Sequence, residues 1–394
     1  MTEPFEAAKR LQQLPTQFFA TLVQKVNEQI QAGHDVINLG QGNPDQPTPP
    51  HIVRELQDAA TNPAFHKYPP FSGYPFLKEA AAKRYKEDHG VELDPETEVA
   101  ILFGGKTGLV EISHCLLNPG DTCLVPDPGY PDYWSGVALS EARMVMMPLL
   151  EQHDFLPDYS AISPADAEQA KLMFINYPNN PTGATADLSF YEETVRWAKQ
   201  NHVLVVSDFA YGAIGFDGQR PVSFLQAEGA KEIGIEVYTL SKTYNMAGWR
   251  VGFAVGHPEI ISLINRIQDH YYVSLFGGIQ KAAATALTAS QQCVEELVQR
   301  YESRRNTLFK ELDRIGWINR KPAGSFFCWL KVPSGYTSLS FAELLLQEAK
   351  VAVAPGIGFG QSGEGYVRVG LLTSEERICE AVARIEKLGL FKTT

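Results

Sequence analysis

The 394-residue sequence has no apolar run long enough to cross a membrane, which takes about 20 apolar residues in a helix. It also has no signal-peptide core, because residues 1–6 are acidic rather than basic and apolar. Positive charge is in deficit, since the formal net charge is −12. Nucleic acids and anionic membranes attract basic patches, so neither partner is expected. We therefore predict a cytoplasmic protein.

Cysteine is scarce, and its spacing carries no motif. The five cysteines are an odd number and form no C-x-x-C pair, which is typical of reduced, structural thiols. The nine histidines include no H-E-x-x-H, and no Cys/His cluster has the spacing of a zinc site. We predict no metal.

The nucleotide-binding loops are missing as well. No G-x-x-x-x-G-K-[ST] is present, and no G-x-G-x-x-G opens a strand-to-helix turn with an acid after it. A different glycine-rich stretch, residues 104–108, follows the apolar strand 99–103 and begins an apolar helix. Free N–H groups and the helix dipole favour an anion at such a helix start. This stretch is therefore a candidate anion site.

The length predicts two domains, because a single core stops growing at about 250–300 residues. Strands and helices alternate to about residue 284, which indicates a mostly parallel sheet with helices on both faces. No repeat or low-complexity linker interrupts the chain. The elements predicted outside this region are a helix over 18–30, a strand over 36–39, a long helix over 280–315, strands over 325–330 and 366–370, and a helix after Ser374.

The most informative segment is residues 239–250, which sets Lys242 beside Thr239 and Ser241, with Arg250 following. A lysine amine forms Schiff bases with carbonyl groups, while hydroxyls and a guanidinium hold a phosphate. The combination fits a lysine that binds pyridoxal 5'-phosphate. A surface Ser-Lys pair with a distant arginine is the simpler alternative.

Asp208 ends the apolar run that begins at Val203, which has the character of a parallel strand buried on both faces. Ligands of open α/β sheets bind at the carboxyl ends of such strands. A carboxylate there would keep a pyridine nitrogen protonated, so that the ring can accept electrons. Tyr211 could donate to the ring's phenolic oxygen. A helix cap is the alternative role for Asp208.

Asn180 lies in a loop rich in Asn, Pro and Gly after the apolar strand that begins at Met173. Two prolines stiffen this loop and would present the Asn180 amide to a ligand in a fixed direction. A plain tight turn is the alternative.

These elements occur in one order along the chain, and the chain resembles the class I aminotransferases of the fold-type I pyridoxal-phosphate enzymes over nearly its whole length. The resemblance implies a large α/β domain with a mostly parallel mixed sheet, over residues 46–284. It implies a smaller α+β domain over residues 1–45 together with 285–394. The active site would lie between the two domains and against a second subunit of a homodimer.

The family's functional residues map onto this chain as follows. The resemblance implies that the phosphate is held by Gly105, Lys106, Thr107, Thr239, Ser241 and Arg250. It implies that Asn180 and Tyr211 contact the ring oxygen, Asp208 the ring nitrogen, and that Lys242 carries the cofactor. Tyr130 would stack on the ring, and Tyr68 would reach the phosphate of the other subunit. Arg368 would clamp the substrate α-carboxylate, with Asn180 beside it and Gly42 on the covering loop.

The implied reaction moves an amino group between an amino acid and a 2-oxo acid, with the Lys242 amine as the base. Dicarboxylate-specific relatives carry an arginine shortly before a Tyr-Ser-Asn-Pro stretch, and residues 269–276 of this chain lack it. Aspartate is therefore not expected as the main donor. The side chains that could line a pocket for an uncharged chain are Phe18, Phe19, Tyr271, Tyr272 and Phe276, with core packing as the alternative for several.

Residues 40–49, 103–106 and 241–252 are similar to the methionine-salvage subgroup, which forms methionine from 2-oxo-4-(methylthio)butanoate. Broad aromatic and LL-diaminopimelate aminotransferases share most of these motifs and remain the alternative. A C–S β-lyase on the same fold would have a similar catalytic core. The effector domain of a transcription regulator is a poorer alternative, because about 35 residues before the first strand are too few for a DNA-binding domain.

Overall fold

The computed structural model describes residues 6–15 and 18–391, without the side chains of residues 18–20. The strands are β1 (Ile37–Asn38), β2 (Val99–Leu102), β3 (Thr122–Asp127), β4 (Arg143–Pro148), β5 (Ala170–Asn176), β6 (Leu204–Asp208), β7 (Gly234–Thr239), β8 (Gly252–Gly256), β9 (Phe327–Lys331), β10 (Val351–Ala352), β11 (Ala354–Pro355) and β12 (Tyr366–Gly370). The α-helices are α1 (Lys9–Gln12), α2 (Phe18–Gln31), α3 (Pro50–Ala60), α4 (Pro75–His89), α5 (Gly105–Leu116), α6 (Asp132–Leu139), α7 (Pro164–Gln169), α8 (Leu188–Asn201), α9 (Leu240–Thr243), α10 (Pro258–Tyr271), α11 (Gly277–Thr288), α12 (Gln292–Arg314), α13 (Ser338–Leu344) and α14 (Glu375–Glu386).

A seven-stranded sheet forms the centre of the larger part, in the order β2-β8-β7-β6-β5-β3-β4. Strand β8 is antiparallel to both β2 and β7, and the other neighbouring pairs are parallel. The predicted mostly parallel mixed sheet is therefore confirmed. Strands such as β5 and β6 are continuous apolar runs because helices cover both faces of the sheet.

The two faces of this sheet have separate cores. Met173 and Ile175 of β5 pack on one side in the cluster that includes α4, α8 and α11. Leu172 and Phe174 point to the other side, into the cluster that includes α5, α6 and α10. This alternation follows from the two-residue period of a strand.

The smaller part contains the antiparallel sheet β11-β12-β9 and the pair β1-β10, with α12, α13 and α14 around its own core. Ile37 of β1 pairs in parallel with Val351 of β10, so the N-terminal strand joins the C-terminal part of the chain. Ser374 caps α14 by accepting a hydrogen bond from the Arg377 N–H, as expected for a helix that begins after this serine. The domain boundaries at 45/46 and 284/285 stay a proposal.

The long helix predicted over 280–315 is wrong in one respect, because the structure has two helices there. Helix α11 ends at Thr288, and α12 begins at Gln292. The side-chain amide of Gln291 donates to the carbonyls of Ala286 and Ala289 at the end of α11. Its oxygen accepts from the Tyr244 hydroxyl at 2.7 Å. The Gln291 side chain thus caps the last carbonyls of α11 and stabilises the break between α11 and α12.

Within residues 6–15 and 18–391, no helix combines the length and the apolar character that a bilayer-spanning segment requires.

Candidate active site

A cavity of about 500 Å³ lies where the carboxyl ends of β6 and β7 face β12 and the loop after β1. The predicted site residues that line it are Gly42, Gly105, Lys106, Tyr130, Asn180, Asp208, Tyr211, Thr239, Ser241, Lys242, Arg250 and Arg368. Thr107 and Tyr68 are the predicted residues that do not. The structure thus collects in one cavity side chains that are up to about 330 positions apart in sequence. Residues from both parts of the chain contribute to it.

Lys242 sits in the short helix α9, directly after β7. Thr239 caps this helix, since its hydroxyl accepts a hydrogen bond from the Ser241 N–H. The Lys242 Nζ donates to the Gly42 carbonyl at 3.0 Å. Burial, together with the nearby charges of Arg368 and Arg250, lowers the pKa of Lys242 to about 8, although Asp208 opposes the shift. A substantial share of this amine is therefore uncharged just above neutral pH, as a nucleophile or base requires.

Asp208 ends β6 and is 6% exposed. Its carboxylate accepts from the Tyr133 hydroxyl at 2.6 Å and from the Ala210 N–H at 3.2 Å. Burial raises the pKa of Asp208 to about 6, whereas the Tyr133 hydrogen bond lowers it. Tyr133 is fully buried in α6, and the sequence analysis missed it.

Asn176, a second residue that the sequence analysis missed, joins the ends of β5 and β6. Its amide donates to the Asp208 carbonyl at 2.7 Å, and its side-chain oxygen accepts from the Asn180 N–H at 2.8 Å. One buried side chain therefore sets the loop that carries Asn180 against the strand that carries Asp208.

Arg368 projects from β12 and is buried. Its Nη1 donates to the Asn180 side-chain oxygen at 2.9 Å, and its Nη2 donates to the Gly40 carbonyl at 3.0 Å. The guanidinium lies 3.9 Å from the centre of the Phe327 ring and 4.6 Å from that of Phe359. Burial lowers the pKa of Arg368 to about 10, which still leaves it charged at neutral pH. A fixed, charged guanidinium is suited to a carboxylate.

The opposite end of the cavity offers donors for an anion. The N–H groups of Gly105 and its successors begin α5 and have no partner within that helix. Gly104 precedes them with φ +82°, and a Cβ there would lie 2.6 Å from Nη2 of Arg250. The Arg250 guanidinium donates to the Ala247 carbonyl at 2.9 Å. The Lys106 ammonium pairs with Asp132 at 2.9 Å.

Two tyrosines stand between these ends. Tyr211 packs edge-on against Phe326 and Phe327, and burial raises the pKa of its hydroxyl, which therefore remains a donor. Tyr130 packs edge-on against Tyr133 at 5.7 Å, and burial raises its pKa as well.

Of the side chains proposed for an uncharged substrate pocket, Tyr271, Tyr272 and Phe276 do not line this cavity. Tyr271 and Phe276 are 54% and 40% exposed, and Tyr272 hydrogen-bonds Glu111 of α5. The side chains of Phe18 and Phe19 lie outside the described residues. Tyr68 is 88% exposed and does not line its own chain's cavity. The larger apolar side chains that line the cavity are Leu109, Phe327 and Phe359, beside Ala210 and Ala247, and no motif in the sequence marks them.

The described residues contain no group of three or more His, Cys, Asp or Glu side chains that could hold a metal ion. The cavity instead combines a nucleophilic amine, a buried carboxylate, an anion-binding helix start and a carboxylate-binding guanidinium. Such a set can bind a small phosphorylated ring and an amino or 2-oxo acid side by side.

Comparison with known proteins agrees with this geometry. The chain is 65% identical to the L-glutamine–4-(methylsulfanyl)-2-oxobutanoate aminotransferase of Bacillus subtilis strain 168, over 98% of this chain and 97% of that protein. It is 45% identical to the LL-diaminopimelate aminotransferase of Moorella thermoacetica, over 97% of this chain and 98% of that protein. The structure of apo-BacF from Bacillus subtilis matches with a TM-score of 0.96 and 48% identity, covering 99% of this chain and 100% of that one.

The family described as aminotransferase class I and II matches residues 34–385. Together with the full-length relatives, this match extends over both parts of the fold and includes every residue named around the cavity. The chain therefore belongs to the class I and II aminotransferases and is a transaminase of fold type I.

Proposed function

We propose that this enzyme uses pyridoxal 5'-phosphate to transfer the amino group of L-glutamine to 4-(methylsulfanyl)-2-oxobutanoate, which yields methionine. One observation carries the proposal. One cavity is lined by the Lys242 amine, the Asp208 carboxylate and the Arg368 guanidinium, in a chain 65% identical to an enzyme named for this reaction. The alternative reaction, that of an LL-diaminopimelate aminotransferase, has less support, because the relative with that name is 45% identical rather than 65%.

The residues of the cavity fit this cofactor. Asp208 is a buried carboxylate whose hydrogen-bond donors, the Tyr133 hydroxyl and the Ala210 N–H, are neutral. Its negative charge is therefore free to pair with a cationic ring nitrogen. The start of α5, the hydroxyls of Thr239 and Ser241, and Arg250 suit its phosphate. Bound there, the cofactor supplies an aldehyde carbon and an electron-accepting ring.

The chain's own groups then have separate tasks. Lys242 provides an amine that is largely uncharged above pH 8 and can take the proton from the substrate α-carbon. Arg368, held by Asn180 and Gly40, orients the α-carboxylate through two parallel hydrogen bonds. Asp208 would stabilise a positive charge at the ring nitrogen, and the Tyr133 hydroxyl donates to that carboxylate and fixes it in place.

The apolar side of the cavity favours an uncharged substrate side chain. Phe327 and Phe359 flank the Arg368 guanidinium, so a carboxylate bound there brings its side chain against aromatic rings. A thioether packs well on aromatic surfaces, with a contact of roughly 0.3–1.5 kcal/mol. A second carboxylate in the substrate would lose its hydration against these rings, while Arg368 is already engaged by the first carboxylate.

We also propose a homodimer with a shared active site. The 88% exposure of Tyr68 supports this, because an exposed tyrosine flanked by exposed Phe71 is suited to contact a second copy. Sedimentation of the cofactor-loaded protein at low concentration tests it, and an active monomer would contradict the role of Tyr68. The cytoplasmic location stays a prediction.

The function is tested by recording the absorbance of the cofactor-loaded protein while amino acids are added one at a time. Glutamine and methionine should each discharge the visible band and release the corresponding 2-oxo acid, and aspartate should do so far more slowly. Lys242→Ala is the control, and it should bind cofactor but release no 2-oxo acid. Release of pyruvate and ammonia from a thioether substrate would indicate a β-lyase instead. Rapid discharge by LL-diaminopimelate, but not by methionine, would favour that alternative.

A further inference from the structure

A second buried carboxylate, Asp127, joins two loops that line the cavity from opposite parts of the fold. Asp127 ends β3 of the central sheet, and Tyr130 follows it in the same loop. The Ser362 N–H donates to Oδ1 and Oδ2 of Asp127 at 3.1 and 3.2 Å, and the Ser362 hydroxyl donates to Oδ2 at 3.0 Å. The Gly129 N–H donates to the Phe359 carbonyl at 2.8 Å. We call these four contacts the Asp127–Ser362 clasp.

The carboxylate of Asp127 in the clasp is buried, and burial disfavours its charged form. Asp127 is 4% exposed, and no cation of the described chain forms an ion pair with it. Burial raises the pKa of Asp127, and the hydrogen bonds from Ser362 lower it. Because an uncompensated buried carboxylate is costly, the carboxylate and the Ser362 donors strongly favour staying together.

The loop around Gly360 is shaped to receive this carboxylate. Gly360 has φ +127°, a conformation that favours glycine, and a Cβ there would lie 1.9 Å from Oδ1 of Asp127. The carboxylate thus occupies the space that a side chain at position 360 would need. Phe359, the neighbour of Gly360, is held at the same time by its carbonyl contact with Gly129.

Phe359 connects the clasp to the substrate end of the cavity. Its ring centre lies 4.6 Å from the Arg368 guanidinium, and it packs edge-on against Trp329 at 5.9 Å. Trp329 is the pairing partner of Arg368 in the sheet of β9 and β12. A shift of the loop that ends in Ser362 would therefore move an aromatic wall of the carboxylate site.

We propose that Asp127 is a positioning residue, which holds Phe359 against Arg368 through Ser362 and thereby sets the affinity of the enzyme for its carboxylate substrates. This inference rests on the proposed role of Arg368 as the carboxylate clamp. The clasp touches neither Lys242 nor Asp208, so it acts on substrate binding more than on proton transfer.

The test compares Ser362→Ala and Asp127→Asn with the unchanged enzyme, all loaded with cofactor. Ser160→Ala is the matched control, since the Ser160 N–H and hydroxyl both donate to Asp158 at an exposed 3-10 turn that does not line the cavity. KM and kcat for 4-(methylsulfanyl)-2-oxobutanoate are measured for each variant. The dissociation constant of methionine is measured by the loss of visible absorbance.

We expect KM and the methionine dissociation constant to rise about threefold to tenfold in both clasp variants, as partial loss of a hydrogen bond to a charged group implies. Values of kcat should stay within about twofold of the unchanged enzyme, and Ser160→Ala should change neither. Unchanged KM in Ser362→Ala overturns the inference, even where Asp127→Asn fails to fold. Equal falls in kcat and cofactor content would also overturn it. Lack of transamination by the unchanged enzyme would instead refute the proposed function.

Discussion

Asp208→Asn should stabilise the cofactor-free chain while it destroys the enzyme's activity. In the folded chain, burial raises the pKa of Asp208 from 3.8 to about 6. The folded state therefore binds more protons than the unfolded state between these pH values, and its stability falls as the pH rises through this window. Asparagine keeps the shape and can still accept from the Tyr133 hydroxyl, but it has no charge to bury.

The magnitude follows from the same two values. A rise of about 2 pKa units, at about 1.4 kcal/mol per unit, makes the ionised carboxylate cost about 3 kcal/mol above pH 6. Asp208→Asn should thus raise the free energy of unfolding by up to about 3 kcal/mol at pH 7.5, and by little at pH 4. Subtracting the two proteins removes the contributions of the other carboxylates.

Urea unfolding of both cofactor-free proteins, between pH 4 and 8, measures this difference. Activity of the loaded variant should fall by at least about a hundredfold, because no carboxylate then stabilises a charged ring nitrogen. A stability difference that does not change with pH, or a variant less stable than the parent at pH 7.5, would refute the reasoning. Either result would mean that Asp208 is compensated within the chain.

Other predictions follow from the remaining charges and from one glycine. Cofactor capture by the cofactor-free protein should accelerate about tenfold per pH unit up to pH 8 and then level off, because only uncharged Lys242 attacks. Stopped-flow absorbance measures this, and acceleration continuing to pH 10 would show an unperturbed lysine. Arg368→Lys should raise KM for amino acids about tenfold to a hundredfold with less effect on cofactor binding, since a lysine cannot make both hydrogen bonds. Unchanged KM would remove Arg368 from substrate binding. Gly104→Ala should weaken cofactor binding about tenfold, because φ +82° is strained for alanine and its Cβ would displace Arg250. Equilibrium dialysis measures this, and an unchanged dissociation constant would place the phosphate elsewhere.

Much of the fold was predictable because its signals are local. Buried strands such as β6 are unbroken apolar runs, and their alternation with helices indicates a parallel sheet without any structural information. The segments that carry Asn180, Asp208 and Lys242 each follow such a strand. Since parallel strands end at one edge, their gathering in one cavity was also predictable.

The supporting contacts were not predictable, because they join residues far apart in sequence. Tyr133 reaches Asp208 across 75 positions, and Ser362 reaches Asp127 across 235. Neither pair leaves a spacing pattern, since Tyr133 of α6 reaches the end of β6, and Ser362, in a turn of the smaller part, reaches the end of β3. The break between α11 and α12 has a similar cause, because Gln291 is held by Tyr244 from a distant loop.

The ionisable groups around the cavity are buried without enough compensation for their charges, which is unusual in a folded protein. Burial raises the pKa of Asp208 and lowers the pKa of Lys242, so each charged form is held at a cost. A cationic ring nitrogen would stabilise ionised Asp208, and a phosphate at the start of α5 would offset the positive charge of Arg250. Cofactor binding would thus lower the electrostatic free energy of these buried charges, which are uncompensated in the cofactor-free protein. The stabilisation of the folded protein by the cofactor should therefore be markedly smaller in Asp208→Asn than in the parent, which comparison of loaded and cofactor-free melting temperatures would reveal. Equal stabilisation of both proteins would show that the carboxylate does not contribute to holding the ring.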